Sequence, residues 1–251
     1  MEVHHSHKHA ASKKLKEYFL EFLMLFLAVT LGFFAENIRE HSVERERENK
    51  FMEIVHEDLN NDIKSLNSLI GYYTERGLRE DSLLDLLSSR KFEQTNDLYY
   101  LARVTSLRFF FNHSNNGFQQ LKNAGGLRMI EDIDIIKKIQ NYENTVQKEE
   151  ELQALTEQLL MNYREKMAII FDGKVFTKMR KKDRNTNIDD RFSRPIDNPI
   201  LINTSSIDIN EFLVKTLYVN NNTKGILKNL ELLLKEAKEL ETLLSKKYHL
   251  S

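Results

Sequence analysis

The sequence predicts an all-α chain in which one N-terminal transmembrane helix continues into a bundle of long helices. Three observations carry this. Phe19 to Ala35 (FLEFLMLFLAVTLGFFA) is apolar except for Glu21 and Thr30, with charged sequence on both sides. Beyond it, apolar residues recur at intervals of three and four over several long segments. Helix breakers are scarce, with 2 prolines and 8 glycines in 251 residues. Hydrophobic residues at 41% and charged residues at 30% allow a buried core under a wet surface. A formal net charge of −1 gives no global attraction to nucleic acid, which is not an expected partner. With no cysteine, the chain has no disulfide, thiolate nucleophile or cysteine-ligated metal.

Residues 1–17 form a basic tail with His4, His5, His7 and His9. Four histidines without rigid spacing fix no coordination geometry, so no metal site is assigned. Residues 18–36 are the transmembrane helix. A cleaved signal peptide requires small residues at the cleavage site, and Phe33, two before Ala35, breaks that pattern. A buried core helix is the competing reading. Tyr18 at the rim and Lys16 within snorkelling reach favour the bilayer. Lys13, Lys14 and Lys16 crowd the leading end, while only Arg39 lies as close to the trailing end. The positive-inside rule then places the N-terminus in the cytoplasm and the C-terminal domain in the periplasm, with the span in a bacterial inner membrane. Residues 37–50 mix Glu and Arg at helical spacing and read as a solvated helical stalk.

Residues 51–251 are the helical extracytoplasmic domain. Phe51, Ile54, Val55, Leu59, Ile63, Leu66, Leu69, Ile70 and Tyr73 form one apolar helix face, continuous with the stalk and ended by Gly77. Asp81–Ser89 and Thr95–Phe111 read as two further helices. Ser114 caps a short helix to Lys122, and Gly125–Gly126 supplies a left-handed stop. Asp132 caps a long helix from Ile133 to about Met179. Asp183 to Ser206 is irregular and holds both prolines, Ile207–Val219 is helical, and Thr223–Tyr248 closes the chain. In that last helix Ile226, Leu230, Leu233, Ala237, Leu240 and Leu244 make a seam, either for its own bundle or for an oligomeric coil. The expected architecture is antiparallel, with the helices from Ile133 and Thr223 packed on the one from Phe51.

Two stretches carry a resemblance. The start, MEVHHSHKH followed by KKLKEYFLEFLMLFLAVTLGFFAEN, resembles a family of uncharacterised bacterial single-pass membrane proteins. The matching features are the basic histidine-containing tail, Glu21 at the start of the span, Ala28 and Gly32 within it, and Glu36–Asn37 at its end. The segment FQQLKNAGGLRMIEDIDIIKKIQNY, Phe118 to Tyr142, is similar to that family's central block. The resemblance covers about a quarter of the chain and implies an envelope membrane protein without implying an activity.

Glu21, Leu25, Ala28, Gly32 and Ala35 step by four, three, four and three, so they share one helix face. Ala28 and Gly32 form a small-xxx-small pair that permits close helix approach. An intramembrane carboxylate costs roughly 2.5–3.5 kcal/mol on insertion scales and therefore faces protein or water. The stripe reads as a helix–helix contact between copies of the chain. Pairing of Glu21 with Lys14 or Lys16 at the headgroups, and ion conduction through Glu21, are the alternatives. Phe118, Leu121, Gly125, Gly126 and Leu127 are a candidate ligand or partner loop. No G-x-S-x-G, P-loop, H-E-x-x-H or G-x-G-x-x-G motif occurs, so neither an enzyme nor a cofactor is expected. His41, His56, His113 and His249 read as surface or capping residues. The basic run Lys178 to Lys182 could touch anionic lipid or nucleic acid, but a helix end favours cations there through its dipole, and the Asp189–Arg194 cluster reads as solvated. The expected function is a membrane-anchored envelope scaffold or accessory subunit. Its partners are the lipid bilayer, further copies of itself and other membrane or envelope proteins. A ligand-binding sensor working with a partner, or an ion-conducting subunit, is the alternative.

Overall fold

The computed structural model describes residues 8–90, 92–123, 125–181 and 191–250, with side chains from residue 15 onward. The fold is all-α, with no β-strand among the described residues. α1 (Lys8–Ser89) is a single helix of 82 residues, about 120 Å long. It carries the apolar stretch, the charged stalk and the first wall of the bundle without a break. Gly77 does not end it, and Asp81–Ser89 forms its last turns rather than a separate helix. One interior glycine costs about 1 kcal/mol. Tyr73, Arg76, Glu80, Leu83 and Leu87 keep one face of α1 buried on both sides of Gly77, and that burial outweighs the penalty. The chain turns at Arg90, whose φ is +51°.

α2 (Thr95–Thr105) folds back over the far end of α1 and stops short of the expected Phe111. Its terminal carbonyls are taken by arginines: Arg76 donates to Thr105 O at 2.9 Å, and Arg164 to Ser106 O at 2.7 Å. Residues 107–115 then run as an extended strap back along α1. The strap's backbone is bonded by side chains. Arg76 donates to Leu107 O at 2.5 Å and Tyr73 to Phe109 O at 2.8 Å, while Asp62 accepts from Ser114 N at 2.8 Å. Phe109, Phe111 and His113 alternate toward the bundle, the period of an extended chain.

α3 (Asn116–Asn123) crosses α1 where Gly117 N donates to Asp58 at 2.6 Å. Gly125, at φ +67°, makes the left-handed turn into a 3-10 turn, Gly126–Arg128. α4 (Ile133–Ile170) is capped by Asp132, which accepts from Asp134 N and Ile135 N. It ends well before Met179. Phe171 is extended (φ −106°, ψ 142°) and turned into an aromatic cluster with Tyr99, Phe176 and Phe212. The Tyr99 hydroxyl fixes this corner by accepting from Asp172 N at 2.9 Å and donating to Ile200 O at 3.0 Å. Asp172 caps the short α5 (Gly173–Lys178).

α6 (Ser206–Tyr248) joins what the sequence divides into two helices. Polar residues at the expected division are buried and bonded at three positions: Asn220 to Asp81 at 3.0 Å, Asn222 to Thr156 at 2.7 Å, and Thr223 with Arg76 at 3.2 Å, while Asn221 is exposed. α6 runs antiparallel to α1, as the pairs Glu48–Tyr248, His56–Glu241 and Arg76–Thr223 require. It is also antiparallel to α4, through Lys138–Glu239 and Lys166–Asp208. α1 and α4 are therefore parallel, which corrects the expectation of antiparallel neighbours throughout. The strap makes this possible by returning the chain to the start of the bundle.

Candidate functional site

Every residue from Leu15 to Ser42 is exposed. By length and composition this part of α1 is apolar enough to cross a membrane, and none of its apolar window is buried. A core helix would bury such residues; here Phe22, Leu25, Phe26, Leu31 and Phe33 are each more than half exposed. Two polar groups in or just beyond the stretch are satisfied locally. The Thr30 hydroxyl donates to Phe26 O at 2.7 Å, and Glu36 pairs with Arg39 at 2.5 Å where the stalk begins. Glu21, Leu25, Ala28, Gly32 and Ala35 all lie exposed on this segment, with no partner from the described chain. A Cβ built on Gly32 meets nothing within 4 Å.

The second predicted set lies elsewhere, at the bundle end nearest the stalk. Phe118 and Leu121 are fully buried, with the Phe118 ring 5.3 Å from His113 and 5.8 Å from Tyr142. Gly126 is buried against Leu121, Leu127 packs on the core, and Gly125 serves the turn. These residues build a joint between α1, α3 and α4 instead of presenting an open loop.

Buried charge is the feature that sequence reasoning missed. Asp62 is fully buried and bonds His113 Nδ1 at 2.6 Å, the Tyr142 hydroxyl at 2.7 Å and Ser114 N. His113 Nε2 meets Glu143 at 3.1 Å, and Glu143 also pairs with Lys122. His113 is thus a buried ion-pair centre and not a surface residue. Burial pulls its pKa down, but the bonds and charges of Asp62 and Glu143 override this and hold it at about 9. His56 is likewise buried, against Ser245 at 2.9 Å and Glu241 at 3.2 Å, whereas His249 ends α6 in a left-handed conformation. Farther along, Arg76 pairs with Glu80 at 2.7 Å, both buried. Glu149 lies between α4 and α6 with Asn229 at 3.0 Å, and burial pushes its pKa to about 7. The one available signal was local: Asp58 and Asp62 interrupt an apolar helix face at a spacing of four.

This arrangement is a set of fasteners, each holding the strap or one long helix to another. Among the described residues, no group of three or more His, Asp or Glu is placed to hold a metal. His4, His5, His7, Lys182 and Asp189–Asp190 lie outside the described residues. No protein-family model, curated protein or solved structure matches the chain.

Proposed function

We propose that this chain is a single-pass membrane protein that carries a three-helix bundle outside the bilayer and acts through protein contacts, as a scaffold or accessory subunit. The observation that carries the reading is an apolar segment with none of its window buried, on the same uninterrupted helix that forms the first wall of the core. Phe19 to Ala35 rises about 26 Å, close to the roughly 30 Å of a bilayer's hydrocarbon core, and Leu15 and Ile38 extend the apolar length. Because the helix does not break, the charged stalk holds the bundle at a fixed height above the headgroups. Burial resumes at Glu48, about 20 Å beyond Ala35. The lysines before the span favour a cytoplasmic N-terminus and a periplasmic bundle in a bacterial inner membrane.

The native chain lacks cysteine, so single cysteines report topology cleanly. In a Gram-negative host the protein should stay with membranes through alkaline carbonate extraction. A membrane-impermeant maleimide should label Glu231→Cys in spheroplasts, but Ser12→Cys only after permeabilisation. Release by carbonate would exclude the span, and the reverse labelling pattern would exclude the orientation.

A further inference from the structure

The end of the bundle away from the apolar stretch holds a cleft of about 600 Å³, within the range of small-molecule sites. Arg103, Arg180, Lys181 and Arg191 line it together with Phe176 and Phe192, and no carboxylate is among the described lining residues. The cations come from three places in the chain. Arg103 lies in the last turn of α2, while Arg180 and Arg191 sit on two segments clipped side by side after α5. The clip is an antiparallel bridge between Arg180 and Phe192, with Lys181 N donating to Arg191 O at 3.0 Å and Ser193 N to Met179 O at 2.8 Å.

Arg103 is held in place rather than free to swing into solvent. It donates to Ser106 Oγ at 2.7 Å, and its guanidinium lies 4.5 Å from the centroid of the buried Phe192 ring. Arg191 lies 5.6 Å from the Phe109 centroid. Arg103, Arg180 and Arg191 form no ion pair with a carboxylate among the described residues. Among the described residues, Glu157 is engaged by Arg108 and Arg164, and Asp97 by Arg194. Burial, and then the charges of Arg164 and Arg180, push the Arg103 pKa down. The other half-buried or buried cations behave differently: Arg76 has Glu80, and Lys166 has Asp208 and Glu211. A concave site of one sign with apolar walls concentrates counter-ions. Guanidinium forks match the geometry of phosphate and carboxylate oxygens.

We propose that this cleft binds a small organic anion with two or more phosphate or carboxylate groups, its oxygens on Arg103, Arg180 and Arg191 and its apolar part against Phe176 and Phe192. The basic run Lys178 to Lys182 and Arg191 are visible in the sequence, but Arg103 lies far from them in the chain and only the fold brings it beside them. The cleft has the same lining whichever side of a membrane the bundle occupies.

The test is calorimetric titration of the full-length protein in neutral detergent at low salt, with pyrophosphate and citrate as separate probes. At least one should bind saturably with one molecule per chain. The exposed pair Arg180→Gln/Arg191→Gln should weaken that binding by about tenfold or more without changing the melting temperature. Lys137→Gln/Lys228→Gln, an equal loss of exposed charge elsewhere, should leave it within about twofold. Absence of saturable binding by both probes, or equal weakening by the two double variants, would overturn the site.

Discussion

Two single residues carry much of the bundle's tolerance. Gly117 sits where α3 presses on α1, and a Cβ there would lie 2.6 Å from Val55 N and 2.9 Å from its Cα. Those are backbone atoms within a helix, so the overlap cannot be relieved by a rotamer change. Gly117→Ala should destabilise by about 2–3 kcal/mol, read as a lower midpoint in urea unfolding. Glu149 acts through protonation. Its pKa is about 7 in the fold and about 4.5 when exposed, so between those values the folded state holds the extra proton. Its contribution is therefore most favourable below about pH 4.5, declines as pH rises toward 7, and is flat above. The decline amounts to about 3 kcal/mol. Glu149→Gln should be more stable than the native chain at pH 8 and equal to it near pH 4; a pH-independent difference would contradict this. His113, held at about 9, adds a separate loss as pH rises from about 6.5 through 9.

At the scale of elements, α1 and the strap differ in how they are determined. α1 is helical by local preference and stays so across Gly77 because one face is buried on both sides. A Cβ at Gly77 meets nothing within 4 Å, so Gly77→Ala should stabilise the fold by ~0.5–1 kcal/mol, measured by thermal unfolding. A separate helix beginning after Gly77 would show no such gain. The strap is extended because partners distant in sequence claim its carbonyls and amides. Arg76 lies 31 residues from Leu107, and Asp62 lies 52 from Ser114. The run Leu107–Arg108–Phe109–Phe110–Phe111 does alternate, but over so few residues that a helical reading competes with an extended one. The short α5 corner has the same cause: Phe171 leaves the helix because the cluster around Tyr99 and Phe212 accepts its ring.

For the whole molecule, the question is what the exposed stripe on α1 meets. Since Gly32 has open space around it, Gly32→Leu should leave the folded monomer unchanged. If copies pack through Glu21, Ala28 and Gly32, the same change should abolish a crosslinked dimer in membranes while circular dichroism stays the same. Persistence of the dimer would remove the stripe as its interface. The seam from Ile226 to Leu244 is fully buried within the chain's own bundle.

The sequence by itself determined the helical class, the position of the apolar stretch and its stripe, the caps at Asp132 and Gly125, and the apolar face from Phe51. All of these depend on periodicity or on residues within a few positions of each other. Tertiary structure alone decided that α1 and α4 run parallel, that α6 is one helix, and that Asp62, His113 and Glu143 meet inside. It also gathered Arg103, Arg180 and Arg191 around one cleft. These outcomes depend on pairings across tens of residues, where burial and buried hydrogen bonds outweigh local preference.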